Sequence, residues 1–312
     1  MADTTTSSYA GLVKTVYDQF VEFALRSEPL FRQVADKRVA DQAMPGNVIT
    51  LSRFQDLSAA TTGLTEGTDV TAVAPSDTVT KTITLEEYGN VVTRTEFLDL
   101  LSFAAVDPAI ANLVAYNMRD SVDSLVRTTL IGGTNEITSN AGVRDASPQN
   151  TNTLLATDII STAILRYAVT RLRANSAQPV KDGLYAAYVH PDTSYDLRAE
   201  SGAGGWQLPH VYQAGANIWA GEIGSYEGAF FIETPRAYQA ADGSASAIIS
   251  RTMVLGKQFL AEAVAREFGL VIGPVVDSLA RERPVGWKGT AGWCVYREEA
   301  GYRIEHGSSV SQ

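Results

Sequence analysis

"LTEGTDVTAVAPSDTVTKTITLEEYG", residues 64–89, ends in a run where Thr78, Thr80, Thr82 and Thr84 alternate with Val79, Lys81, Ile83 and Leu85. Alternation with a period of two, carried by β-branched residues, predicts a strand. One side is a ladder of threonines. The other is interrupted by Lys81 and followed by Glu86 and Glu87, so this strand is expected to lack an ordinary core face. Upstream, Met44-Pro45-Gly46 marks a turn into Val48-Ile49-Thr50-Leu51-Ser52-Arg53-Phe54, a second short alternating strand. Between the two lies a polar stretch from Gln55 to Asp77, broken by Gly63, Gly67 and Pro75. The strands read as arms of a long excursion. Arms of roughly fifteen to twenty residues, at about 3.3 Å per residue, would project on the order of 50 Å. A two-stranded ribbon that polar is marginal in water, and its natural partner is another molecule.

Around this excursion the pattern is mixed. Leu12, Val13, Val16, Tyr17, Phe20, Phe23 and Ala24 recur at helical spacing within a segment from Tyr9 to about Ala35, interrupted near Pro29. Thr95 ahead of Glu96-Phe97-Leu98 predicts a short capped helix. Asp107-Pro108 opens a longer one, whose stripe of Ile110, Leu113, Val114, Met118, Val122, Leu125, Val126 and Leu130 stops at Gly132-Gly133. That helix should be about 35 Å long, with Asn112, Arg119, Asp120, Asp123 and Arg127 largely outside the stripe. A loop is expected over about 134–153, then a helix capped by Asp158 that carries Ile160, Ile164, Tyr167, Ala168 and Leu172. Further on come a strand over Leu184–Val189, a helix after His190-Pro191-Asp192, and a turn and buried strand from Ile218 through Gly228 to Glu233. Later strand candidates are Ala247–Ser250, Trp293–Arg297 and Tyr302–Glu305. The class is α+β, with no solenoid repeat and no heptads.

Composition and motifs exclude more than they suggest. With 312 residues, 45% of them hydrophobic, the chain can bury a substantial core. Its single cysteine, Cys294, rules out an internal disulfide or a cysteine-clustered zinc site and reads as a buried thiol. The start lacks a secretory pattern, and no run approaches the roughly 20 apolar residues of a spanning helix, so a soluble protein made in a cytoplasm is expected. A net charge of −10 argues against gripping nucleic acid by its phosphates. Gly256-Lys257-Gln258 lacks the rest of a phosphate loop, Gly202-Ala203-Gly204-Gly205 reads as a loop, and Ser225 sits one place too early for a nucleophile elbow. His190, His210 and His306 are far apart and read as packed or exposed imidazoles. Glu86-Glu87 and Glu298-Glu299 are adjacent, so in strands they diverge and read as solvated charges. The stretch Pro284 to Trp293, rich in glycine and tryptophan, reads as a tight turn with its tryptophans in the core. No catalytic, metal or cofactor site is expected.

The order of elements resembles a known family. Gly46-Asn47-Val48-Ile49 leads to Leu64-Thr65-Glu66-Gly67, then to Leu85-Glu86-Glu87-Tyr88-Gly89 before Val92 and Thr95. Later come Val189-His190-Pro191-Asp192 with Asp196-Leu197, Gly221-Glu222-Ile223-Gly224 with Gly228, and Val285-Gly286-Trp287-Lys288. In this order and spacing they resemble the major capsid proteins of tailed bacteriophages, within the branch similar to the N-four-type podophage coat protein.

That resemblance implies the capsid fold shared with encapsulins and the herpesvirus capsid floor. Residues 1–45 would be an N-terminal arm, 46–94 the extended hairpin called the E-loop, and 95–154 a peripheral domain built on a spine helix over 107–131. Residues 155–275 would be the axial domain and 276–312 strands returning to the peripheral domain. It further implies that many copies assemble through pentamers and hexamers into an icosahedral virion head around double-stranded DNA, without sequence-specific contact. Assembly would occur in the host cytoplasm, with scaffolding, portal and decoration proteins as further partners and no membrane. The residues expected to meet neighbouring copies are Arg53, Glu66, Thr78, Thr80, Lys81, Thr82, Thr84 and Glu86. Some family members crosslink through an E-loop lysine, and Lys81 is the single lysine of this hairpin, though a solvated or salt-bridged lysine is the ordinary reading. The alternatives are an encapsulin-like shell enclosing cargo enzymes and, from another class, an α+β enzyme with a dispersed acidic site.

Overall fold

The computed structural model describes residues 29–39, 46–53, 57–67, 69–70, 72–74, 79–96, 106–145, 150–200, 222–274, 277–279 and 281–310. In chain order these form β1 (Asp36–Val39), β2 (Val48–Arg53), β3 (Val79–Thr84), β4 (Glu86–Thr95), α1 (Val106–Ile131), β5 (Glu136–Asn140), β6 (Val143–Arg144) and α2 (Thr162–Ala174). There follow β7 (Tyr185–Val189), α3 (Pro191–Ala199), β8 (Glu222–Tyr226), β9 (Ala229–Glu233), β10 (Gln239–Ala240), β11 (Ile249–Leu255), β12 (Leu260–Ile272), β13 (Glu282–Val295) and β14 (Gly301–His306). Three sheets result. One has the order β1-β12-β13-β4, and β2 pairs β3 alone. The largest has eight strands in the order β6-β5-β14-β11-β7-β9-β8, with β10 also on β11.

The chain divides into two compact units, and each has its own packing. The larger comprises residues 27–88, 120–267 and 289–312. Its core lies between α2 and the eight-stranded sheet. Ile164, Leu165, Ala168, Val169 and Leu172, spaced at three and four, form the buried face of α2 and meet Tyr185, Ala187 and Val189 of β7, Phe231 of β9, Val254 of β11 and Ile304 of β14. Between β8 and β9 the turn residues Glu227 and Gly228 sit at φ 50° and 89°, the left-handed pair that a two-residue hairpin requires. The smaller unit comprises the described residues within 89–119 and 268–288. Asn117 of α1 ties it together, its Oδ1 accepting from Trp287 Nε1 at 2.9 Å and from Asn90 Nδ2 at 3.2 Å.

Several expectations need correction. The stretch over 134–153 contains the hairpin of β5 and β6, and β5 joins the large sheet in parallel with β14. Asp158 does not cap α2. Its carboxylate accepts from the N–H groups of Ala141 and Leu155, and α2 begins after Ser161. The first helical N–H, that of Thr162, donates instead to Glu200 at 2.8 Å. Asp123 is buried rather than lying outside the stripe of α1. One oxygen accepts from the Phe31 N–H at 2.7 Å and the other from Arg236 Nε at 2.9 Å. Burial pushes this carboxyl up, against the pull of those two partners. Residues 284–293 form no turn and lie within the fourteen-residue strand β13. The thirteen-residue β12 had no counterpart among the expected strands. Helix α1 runs from Val106 to Ile131 and ends before Gly132. The N-terminal helix falls outside the described residues except for a 3-10 turn over Phe31–Val34, as do residues 97–105, Gly202–Gly205 and Ile218–Gly221.

Candidate intersubunit surface

Strands β2 and β3 pair antiparallel, and their register sorts the side chains by face. Val48 opposes Thr84, Thr50 opposes Thr82 and Ser52 opposes Thr80, and all six are exposed. Five of the six carry a hydroxyl. In register with the opposite face, Ile49 opposes Ile83 and Leu51 opposes Lys81, and the backbone of Arg53 pairs with that of Val79. That face is not empty, which corrects the expectation that the threonine-rich strand lacks a core side. Ile83 is 0% exposed and packs with Ala261 and Ala263 of β12, beside Ile49, Leu51, Leu85, Cys294 and Tyr296. Gly292 of β13 admits this close approach, because a Cβ there would lie 2.2 Å from the Thr84 carbonyl oxygen and 2.7 Å from Ile83 Cγ2.

Among the described residues β2 and β3 are alone in their sheet, so both are edges. Alternate backbone N–H and C=O groups along each point away from the partner, a template for a further strand. The paired part is shorter than the expected arms, six residues a strand or about 20 Å. Beyond it the described residues between 57 and 74 form no strand and are all exposed. This stretch, read as polar, presents Leu57, Leu64, Val70 and Val73, and Leu64 is 80% exposed. Those four residues were missed. Their signal was a set of single apolar residues scattered through a polar tract.

The expected contact residues divide between the faces. Thr80, Thr82 and Thr84 share the outer hydroxyl face, Glu66 is exposed in the excursion, and Thr78 lies outside the described residues. Arg53 and Lys81 are on the inner face. Arg53 Nη2 lies 3.6 Å from Glu299 Oε1. Lys81 is near Cys294, whose thiol is pushed up by burial while the charges of Lys81 and Arg38 pull it down. Glu86 accepts from the Tyr88 hydroxyl at 2.9 Å. Burial first, and then this hydrogen bond and the Glu86 charge, push the Tyr88 phenol up to about 12.

The histidines and acidic pairs lie elsewhere. His306 is fully buried, its Nδ1 donating to the Gly307 carbonyl at 2.7 Å and its Nε2 3.0 Å from the Thr252 hydroxyl. A carbonyl can only accept, so Nδ1 carries the proton and neutral Nε2 accepts from Thr252. Burial pushes this imidazole down to about 4. His190 caps α3, Nδ1 accepting from the Asp192 N–H, while His210 is outside the described residues. Glu298 accepts from the N–H and hydroxyl of Thr134, whereas Glu299 turns to Arg53. Among the described residues no group of three His, Cys, Asp or Glu could hold a metal ion, and no helix is long and apolar enough to cross a membrane.

Comparison with solved structures shows this fold to be that of tailed-phage capsid chains. The capsid chain of cyanophage Pam1 superimposes with a TM-score of 0.74 at 14% identity, over 99% of this chain and 100% of that one. That of Ralstonia phage GP4 gives 0.74 at 12% identity over 100% of both, and that of cyanophage P-SCSP1u gives 0.71 at 15% over 98% and 96%. No curated protein matches the sequence. A family model described as phage capsid protein matches residues 14–274, well over half of the sequence. The chain therefore belongs to the phage capsid protein family.

Proposed function

We propose that this chain is the building block of a phage head, assembling through pentamers and hexamers into an icosahedral shell around double-stranded DNA. The observation that carries this reading is the β2–β3 ribbon, which has two open edges, an outer face of exposed hydroxyls and an exposed excursion bearing four large apolar residues. A neighbouring copy would supply the backbone and apolar partners that the ribbon lacks on its outer side. On this reading residues 46–94 act as the E-loop, residues 107–131 as the spine helix and 155–275 as the axial domain, with 1–45 as arm and 95–154 and 276–312 as peripheral domain. Thr80, Thr82, Thr84, Glu66 and Glu86 make the outward contacts, while Arg53 and Lys81 anchor the inner face. The work is assembly rather than turnover. Contacts repeated around a ring are individually weak, yet each bound neighbour raises the effective concentration for the next. The net charge of −10 suits a wall that does not adsorb the packed genome. Scaffolding, portal and decoration proteins are the further partners expected during assembly in the host cytoplasm.

Negative-stain microscopy of the expressed chain, with and without a candidate scaffold, tests the proposal. Capsomer rings or shells are expected; a chain that stays monomeric under both conditions overturns it.

A further inference from the structure

A recess of about 410 Å³ opens in the larger unit beside Arg53, at the end of the ribbon that leads into the excursion. Three cationic side chains line it, Arg53, Lys257 and Arg297, against one carboxylate, that of Glu299. This positive balance is local, since the chain as a whole carries −10. Glu299 does little to cancel it: its carboxylate is 56% exposed and stands 3.6 Å from Arg53. Nε of Arg297 is buried and has no acceptor among the described residues. A buried guanidinium N–H without an acceptor is destabilising, and an oxyanion offering several lone pairs relieves it with a charge-assisted hydrogen bond. Two of the walls are turns held at positive φ by residues other than glycine, Ser176 at 54° and Gln258 at 64°.

We infer that this recess is a receptor for an oxyanion, a carboxylate or phosphate group arriving from outside the chain. Arg297 and Lys257 are its donors, and Arg53 exchanges its long contact with Glu299 for the incoming group. Arg53 is the last residue of β2, so an occupied recess fixes the end of the ribbon that leads into the excursion. The recess is lined within one chain, so its test with phosphate does not depend on shell formation, while occupation by a neighbouring copy rests on the proposed function.

Inorganic phosphate titrated into the purified, unassembled chain is the probe, with sodium chloride at equal ionic strength as control and thermal unfolding as readout. Phosphate at about a hundredfold its Kd should raise Tm by several degrees where chloride does not. Lys257→Gln and Arg297→Gln should each weaken that response at least about tenfold, the loss expected of one charge-assisted hydrogen bond. Lys257 is exposed, so its variant should keep the wild-type Tm without phosphate and reads the site even if Arg297→Gln folds poorly. If phosphate does not bind but particles of Lys257→Gln fall apart at lower salt than wild-type particles, the occupant is a carboxylate of a neighbouring copy. A phosphate response equal to that of chloride, together with variants that melt and assemble like wild type, overturns the inference.

Discussion

At the scale of single residues, the buried ionisable groups set the response to pH. His306 titrates near 4 when folded and near 6.5 when unfolded, so below 6.5 the unfolded chain binds a proton that the folded chain refuses. The stability held in neutral His306 is therefore full above pH 6.5 and is lost as pH falls toward 4, by about 3 kcal/mol in all. Urea unfolding at pH 7 and pH 4.5 should show that loss, and His306→Gln should remove its share of the pH dependence. Asp123 offers a second test. Asp123→Ala strands the Phe31 N–H and leaves Arg236 with Asp120 as its remaining carboxylate partner, and should cost about 3 kcal/mol in unfolding free energy. These roles are hard to read in a sequence. Asp123 falls beside the apolar stripe by spacing, and its partners lie 92 and 113 residues away. Asp158 has the right type and place for a cap, yet its two acceptors were claimed by loop N–H groups that no local pattern reveals.

At the scale of elements, the inner end of the ribbon is held by a few close contacts. Ile83→Ala should destabilise the chain by about 3 kcal/mol, the usual cost of truncating a fully buried isoleucine. Gly292→Ala puts a methyl group where the Thr84 carbonyl stands, so hydrogen exchange at the amides of β3 should quicken while that of α2 stays unchanged. Strands and helices whose signal was local were legible: β2, β3, α1, β7, α3 and β14 all lie where alternation, caps and breakers put them. Strand β12 was not, because Leu-Ala-Glu-Ala at its start is good helix-forming sequence and all four residues are buried, which erases alternation. Strand β13 was misread because its glycines look like turn formers. Two of them are gaps for neighbouring backbone, Gly286 against the Asn90 carbonyl and Gly292 against that of Thr84, a requirement set by partners about 200 residues away in the chain.

At the scale of the whole molecule, the family was legible because the order of weak motifs survives where no single one is specific. What was not legible is how the excursion ends: chain outside regular elements obeys no periodicity, so its four exposed apolar residues carried no pattern. Replacing residues 57–74 with a short Asn-Gly turn should leave a folded monomer by circular dichroism that forms no capsomers in sedimentation. Lys81 sits on the inner face of its strand, so particles should run as a single band at monomer mass in denaturing electrophoresis, without a ladder of joined chains.

The row of Thr80, Thr82 and Thr84 has a geometric consequence of its own. A hydroxyl turns freely about its C–O bond and gives or takes a proton as the facing group demands. Such a row forgives small rotations of whatever lies across it, where a carboxylate facing an arginine would not. A closed polyhedral container must bend more sharply at its vertices than along its flat faces. On the proposed reading, which puts this strand at the seam between copies, one gene product could line both kinds of position without a second, specially shaped version.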